Sequence, residues 1–454
     1  MDRVLDIDEE GMTVTVQAGA RCSEVVERLR ERGLTLPQLA SIAEQQIGGF
    51  VSVAAHGTGA LIPTVDDFVS SFTLSTPAFG PLTFSRSSTG LNKKAFDLSL
   101  VGLGLFGVLT TVTLKVIPTH HLLEHTFTLT RKQAVDRRSE LVGQHKHCRY
   151  MWIPYTDTVV VVTNDPFDET TEKLPEGMKG PAGPDTLSNP FARMLLDHPS
   201  NTLTTTQVST LGMGELRDAL LAINPLSVSH IKLVNRAEAT FWKANTGYRC
   251  KPSDEVLQFD CGGSQWVQEN CFKVHGLKSG GVERKARAVT DGTDVAFTLK
   301  LLDGIEDRNI PAPGPIEQRW TAASRSAMSP AAGDPGDVFS WVGIIMYLPG
   351  DDVEQREAIT AEFQGEYREL FEELSEEVGA VTHWAKQELP RNDLTGVKLD
   401  RLRRRLRERY PLAEFERMRR VFDPKGILES ELLNELLNEV KGEKKEKKEK
   451  KKNN

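Results

Sequence analysis

What the chain has little of narrows its class. Five cysteines in 454 residues (Cys22, Cys148, Cys250, Cys261 and Cys271) are scattered, odd in number and never spaced as CxxC. That excludes a disulfide framework and reads as free thiols in a reducing compartment. Basic charge is also lacking overall. A formal charge of −8 argues against nucleic-acid binding, which normally needs a basic face. Neither a P-loop GxxxxGK[ST] nor a nucleophile elbow GxSxG occurs, which removes two common routes to phosphate and ester chemistry. Met1-Asp-Arg-Val-Leu-Asp-Ile7 runs straight into a strand pattern, without the apolar core of a signal peptide. One stretch could pass for a membrane span, Leu98 to Leu114. It carries three glycines and then alternates from Val108 to Leu114, so it reads as a buried glycine turn followed by a strand, and no transmembrane helix is expected.

What is present describes a soluble globular chain: 39% hydrophobic and 26% charged residues. Its length calls for two or three structural regions. Val4–Ile7 and Thr13–Val16 flank turn residues and predict a hairpin. Ser23 predicts the N-cap of a short helix that ends before Gly33. Thr158–Thr163 and Trp341–Leu348 read as strands, and Gly214–Ile223 as a helix. Apolar residues from Ile359 to Val378 fall at three- and four-residue steps and predict one long amphipathic helix over Glu354–Val378. Six arginines between Arg401 and Arg409 read as a solvated helix face, with docking on an acidic partner or an anionic lipid surface left open. The segment from Lys441 to Asn454 holds eight lysines and three glutamates and reads as a disordered low-complexity tail.

The chemistry-bearing segments begin at Ala40-Ser-Ile-Ala-Glu-Gln-Gln-Ile-Gly-Gly49 and continue to His56-Gly-Thr-Gly59. Two glycine clusters bracket small residues, so backbone can approach a partner closely there, and freed N–H groups can hold a phosphate or a ring edge. The spacing in this segment is not the dinucleotide GxGxxG. Glu317 and Arg319, two apart in Ile316-Glu-Gln-Arg-Trp320, share one face of a strand; spacing alone makes them a surface ion pair. His145-Lys-His147-Cys148 has no second ligand pair and makes a poor zinc site. No metal is expected.

Taken in order, ASIxEQQIGG…AHGTGA, Gly102-Leu-Gly-Leu-Phe-Gly-Val108, Phe259-Asp-Cys-Gly-Gly263, Pro315-Ile-Glu-Gln-Arg-Trp-Thr321 and His383-Trp-Ala-Lys386 resemble the vanillyl-alcohol-oxidase flavoprotein superfamily. The likeness lies in its aldonolactone oxidoreductase branch and is strongest to the plant-type L-galactono-1,4-lactone dehydrogenases, from Met1 to about Leu436. The resemblance implies an α+β fold with FAD as cofactor. An FAD-binding domain of that type, incomplete at its N-terminus, would occupy residues 1–118, and an α+β cap residues 119–380. A segment returning to the flavin would cover 381–436, and the tail 437–454.

It further implies that Ala40, Ser41, Gly48, Gly49, His56, Gly57 and Gly59 lie along the flavin and its pyrophosphate. Gly102, Gly104 and Gly107 would line it from the next segment. Alanine rather than glycine at position 40 favours a dehydrogenase over an oxidase, while Ala43 departs from an expected arginine. Glu317 and Arg319 become the clamp on the lactone, and Lys386 the cation beside the N1/C2=O edge of the flavin. His383 is either part of that site or a core histidine. Cys261 is either a thiol near the site or a small buried hydrophobe.

The implied activity is oxidation of an aldono-1,4-lactone to ascorbate or a relative, with cytochrome c taking the electrons, in mitochondria. Lack of GxSxG argues against lactone hydrolysis. Met1 aligns inside the family's FAD domain, which predicts a truncated member. An oxygen-using aldonolactone oxidase and a non-catalytic assembly protein of the same fold are the alternatives.

Overall fold

The computed structural model describes residues 1–168, 170–175, 189–258, 263–274, 292–391 and 393–437. Cys261 and the Lys/Glu tail lie outside the described residues. In chain order the first strands are β1 (Val4–Asp8), β2 (Thr13–Gln17), β3 (Leu34–Thr35), β4 (Val69–Thr76), β5 (Gly80–Ser85), β6 (Val108–Lys115) and β7 (Ile117–Pro118). The later ones are β8 (His121–Leu129), β9 (His147–Trp152), β10 (Val159–Phe167), β11 (Gly247–Pro252), β12 (Gln265–Val274), β13 (Ile316–Ala322), β14 (Val338–Tyr347) and β15 (Val381–Thr382). Together with the helices they make an α+β fold.

The first sheet runs β1-β2-β6-β4-β5 and is antiparallel throughout. Strict alternation in β2 buries Val14 and Val16 and turns the threonines outward. Helix Cys22–Arg30 packs Val25, Val26 and Leu29 into the same core. It starts before the expected Ser23, because the Glu24 carboxylate caps the Arg21 N–H at 3.1 Å. The stretch read as a false membrane span is a helix ending at Ser99, a glycine turn, and then β6; among the described residues no helix is long and apolar enough to cross a membrane.

The chain returns to this first core at its far end. Leu402, Leu406, Phe415 and Phe422 join it from the helices Val397–Arg409 and Leu412–Phe422. That return corrects the reading of the arginine run as a solvated face. Arg403 and Arg405 are buried and paired with Glu435 and Glu372, while Arg401 and Arg404 face outward. Long alkyl stems can pack while their guanidiniums find carboxylates.

The second sheet runs β11-β8-β10-β9-β13-β14-β12-β15. One face carries Tyr150, Trp152, Ile316, Trp320, Val342 and Ile344 into a core shared with helices Arg131–Gln144, Thr293–Asp307 and Arg368–Val378. The long helix expected over Glu354–Val378 is two, Val353–Glu362 and Arg368–Val378, joined by a π turn over Phe363–Tyr367. Gly365 supplies the non-helical backbone at that joint.

The other face of this sheet meets the first layer. Gly59 N–H donates to the Trp320 carbonyl at 2.7 Å and Ala322 N–H to that of Ile62 at 3.0 Å. The φ of +135° at Gly59 is open only to glycine, and a Cβ there would strike Ile62 and the Lys146 carbonyl at 2.8 Å. Nearby, Arg325 clamps Asp67 through Nε at 2.9 Å and Nη2 at 3.0 Å.

Candidate active site

The face of the second sheet that turns from the helices toward the first layer is charged. In register across four neighbouring strands, Met151, Glu317, Gly343 and Glu269 form one row, and Arg149, Arg319 and Trp341 the next. Period-two alternation puts these residues on one side while their sequence neighbours pack on the other. Above them lies a cavity of about 460 Å³. Its wall includes Ser41 and Ile42 from the early glycine-rich segment, Glu269, Glu317 and Arg319 from the sheet, and Lys386 from the 3-10 turn Trp384–Lys386. Early, middle and late segments of the chain therefore converge on one space.

Glu269 is the hub, and the sequence reading missed it. Its Oε1 accepts from Arg319 Nη2 at 2.5 Å and its Oε2 from Lys386 Nζ at 2.5 Å, with His56 Nε2 at 3.3 Å. Burial alone would push this carboxyl up, but Arg319, Lys386 and His56 outweigh it and hold it well below the usual range. Its partners stand 50, 117 and 213 residues away, so no local spacing could have revealed it.

His56 is buried and stacked on Trp341, ring centroids 3.7 Å apart. Burial first, then Arg319 and Lys386, keep the ring neutral against the pull of Glu269. A neutral imidazole has one N–H, so either the Gly57 carbonyl at 3.0 Å or Glu269 receives it. His383 is buried beside it and is pushed well below its ordinary value by burial, with Lys386 and His56 adding to the effect. Its Nδ1 accepts from Ala385 N–H at 3.1 Å and so orders the turn that carries Lys386.

Glu317 and Arg319 do share a face: Arg319 Nε lies 3.3 Å from Glu317 Oε2. Arg149, not singled out in the sequence, stands 3.6 Å from Glu317 on its other side. Ala40 is half-buried next to the wall residue Ser41.

The glycines divide. Gly57 is tight because its missing Cβ would lie 2.1 Å from the Leu39 carbonyl, and that of Gly48 3.0 Å from the Ala18 Cβ. Their close approach is to protein. Gly49 has no heavy atom within 4 Å of where its Cβ would stand. Gly102, Gly104 and Gly107 do not line the cavity that holds Lys386. Gly107 packs on the Ser75 carbonyl of β4, and Gly104, with a φ of +77°, is exposed. Gly102-Leu-Gly-Leu-Phe-Gly107 has dinucleotide spacing, yet it follows a helix and leads into β6. That order is the reverse of the strand-to-helix turn that holds a pyrophosphate.

His145 and His147 also separate. His145 meets Asp165 and His147 meets the Thr58 carbonyl. Among the described residues no cluster of metal ligands forms.

Residues 112–436 match the family model described as D-arabinono-1,4-lactone oxidase, and residues 1–81 that of an FAD binding domain. The mitochondrial L-galactono-1,4-lactone dehydrogenase 2 of Oryza sativa subsp. japonica is 42% identical over 436 residues, covering 95% of this chain and 72% of the relative. The mitochondrial enzyme of Arabidopsis thaliana is 40% identical, covering 95% and 70%. L-gulonolactone oxidase of Bos taurus is 26% identical, covering 85% and 74%. Among solved structures, cholesterol oxidase from Brevibacterium sterolicum superposes with a TM-score of 0.68 at 17% identity, over 94% of this chain and 81% of the other. At that identity it speaks for the fold alone.

Proposed function

The chain belongs to the aldonolactone oxidoreductase family of D-arabinono-1,4-lactone oxidases and L-galactono-1,4-lactone dehydrogenases, and from that premise we propose that it oxidises an aldono-1,4-lactone, L-galactono-1,4-lactone first, with FAD. The observation that carries the proposal is the convergence of Ser41, Glu317, Arg319 and Lys386 on one cavity. The residues there suit a flavin. Ser41 and Ile42 in the cavity wall offer backbone to a flat ring system, and the Lys386 ammonium offers a cation to an electron-rich edge. Ala40 and Ser41 would stand along it, with Gly48, Gly57 and Gly59 shaping the backbone behind and His56 bonded to Glu269 beneath.

Bound FAD supplies acceptance of a hydride equivalent from a carbinol carbon. The protein supplies the rest. Arg319 donates to the lactone oxygens and orients the ring over the sheet face. Glu317 accepts the hydrogen of the hydroxyl being oxidised at Oε2, while Arg149 on its other side fixes that carboxylate. Glu269 touches neither partner in this scheme. It positions Arg319 and Lys386 by accepting from both, and so keeps one cation for the substrate and one for the cofactor.

We place the protein in mitochondria, as its plant relatives are named, and propose cytochrome c as its electron acceptor. Ala40 beside the ring supports an acceptor other than oxygen. Peripheral membrane contact would use the outward arginines Arg401 and Arg404.

Replacing Arg319 by Ala should lower kcat/KM for L-galactono-1,4-lactone at least 100-fold (on the order of 3 kcal/mol or more) while the purified protein stays yellow. Unchanged lactone kinetics would remove Arg319 from the site. Lactone-driven reduction of cytochrome c, run against oxygen uptake, separates a dehydrogenase from an oxidase.

A further inference from the structure

The cavity continues past Glu317 to a second buried ion pair. Helix Val228–Ala244 is pinned by Asn235, whose amide donates to the carbonyls of Pro154 at 3.1 Å and Ala312 at 3.0 Å and accepts from Gly314 N–H at 2.9 Å. One turn later, Glu238 is 1% exposed. Its Oε1 accepts from Trp242 Nε1 at 3.4 Å and lies 3.7 Å from Arg217 Nη1. Arg217 comes from helix Met213–Ile223, is 6% exposed, and covers the Tyr347 ring at 4.1 Å. Yet Glu238 Oε2 and Arg217 Nε have no hydrogen-bond partner among the described residues. A buried donor or acceptor left unmade bears the full desolvation penalty of that group, and here one of each belongs to residues in the wall of the cavity that holds Glu317 and Arg319.

Position fixes what they can reach. Glu238 Oε2 stands 3.3 Å from where a Cβ of Gly314 would be. Gly314 is three residues before Glu317, roughly 10 Å along the run into β13. Arg217 and Glu238 line the same cavity as Glu317 and Arg319, so a lactone ring clamped at that pair shares one enclosed space with them.

We infer that Arg217 and Glu238 are specificity-determining residues that bind the exocyclic hydroxyls of a six-carbon aldonolactone, the Glu238 carboxylate accepting from one and the Arg217 guanidinium donating to the other. The inference rests on the lactone reading above. A wall built to hydrogen-bond two side-chain hydroxyls discriminates against the homologue that has only one, because its polar atoms are then left unpaired.

The test measures KM and kcat for L-galactono-1,4-lactone and for the one-carbon-shorter D-arabinono-1,4-lactone, in the full chain with FAD bound. The wild type should prefer the six-carbon lactone. Glu238→Gln and Arg217→Lys should raise KM for it by about ten-fold or more, with kcat and the five-carbon KM changed by less than about three-fold, so that discrimination collapses. An equal loss on both lactones, or none on either, in the variant that retains wild-type flavin content overturns the inference alone. A wild type that oxidises neither lactone overturns the lactone reading, and the inference with it.

Discussion

The two faces of the eight-stranded sheet are made from the same three strands, β9, β13 and β14, and obey opposite rules. On the helix side, Trp152, Ile316, Trp320 and Val342 are fully buried and apolar. One residue along each strand, on the other side, stand Met151, Glu317, Arg319 and Gly343. The helix face is covered mainly by apolar side chains, its buried Gln318 satisfied by Trp152, Ser340 and the Asp294 carbonyl, so burial there rewards hydrocarbon at about 25 cal/mol per Å². The other face meets the early glycine-rich segment across a cavity, and there buried charge persists only because Glu269 ties Arg319 and Lys386 together. A stability face and a chemistry face can share a backbone when the period is two.

The comparison is broken most directly by cutting the packed face. Trp152 is fully buried and its indole N–H donates to Gln318 at 3.0 Å. Trp152→Ala should cost about 3–5 kcal/mol, read as a fall in the denaturant midpoint, while the folded fraction keeps its KM for lactone. A large KM change at unaltered stability would mean the two faces are not separable.

Glu269→Gln tests the opposite face with a smaller change in shape. It leaves two cations about a neutral amide, and an expected loss of about 1–3 kcal/mol in stability should come with weaker lactone binding, because Arg319 is no longer held. The substitution sharpens the contrast if its effect on kcat/KM, converted at 1.36 kcal/mol per ten-fold, exceeds its effect on the denaturant midpoint. Equal effects would make Glu269 a packing residue.

Legibility in the sequence followed the same division. Part of the strand layout was readable because strand patterns are local: the β10 and β14 strands and the Val4–Val16 hairpin follow from their own residues. Glu317 and Arg319 were readable as sharing a face for the same reason. Glu269, Arg149 and the Arg217–Glu238 pair were not, since each gains its meaning from residues dozens to hundreds of positions away. The arginine run misled because a charge count cannot see Glu372 and Glu435 waiting on other helices. The Glu354–Val378 stretch misled because three- and four-residue steps tolerate an inserted π turn without losing their apolar stripe.

The mildest way to probe the charged face is acid. His147 lies in β9 on the side that meets the first layer, with Nδ1 at 2.7 Å from the Thr58 carbonyl and Nε2 without a hydrogen-bond partner among the described residues. The carbonyl fixes the proton on Nδ1, so the next proton must go to a buried, unpartnered nitrogen. Burial pushes this histidine down to about 4, against the smaller opposing effect of the Thr58 bond. Unfolded, it would titrate near about 6.5. Between those values the unfolded state holds the extra proton, so stability present above about pH 6.5 is lost as pH falls, at about 1.4 kcal/mol per pH unit from this group. His56 and His383, also lowered, add in the same direction, whereas Asp66 and Glu238, raised by burial, act in the opposite one. The net slope of the wild type is therefore not diagnostic, but the difference from His147→Gln is. Denaturant midpoints at pH 7 and pH 5 should show the variant losing less stability than the wild type over that interval, and parallel losses in the two proteins would mean His147 titrates normally and the two layers are not sealed around it.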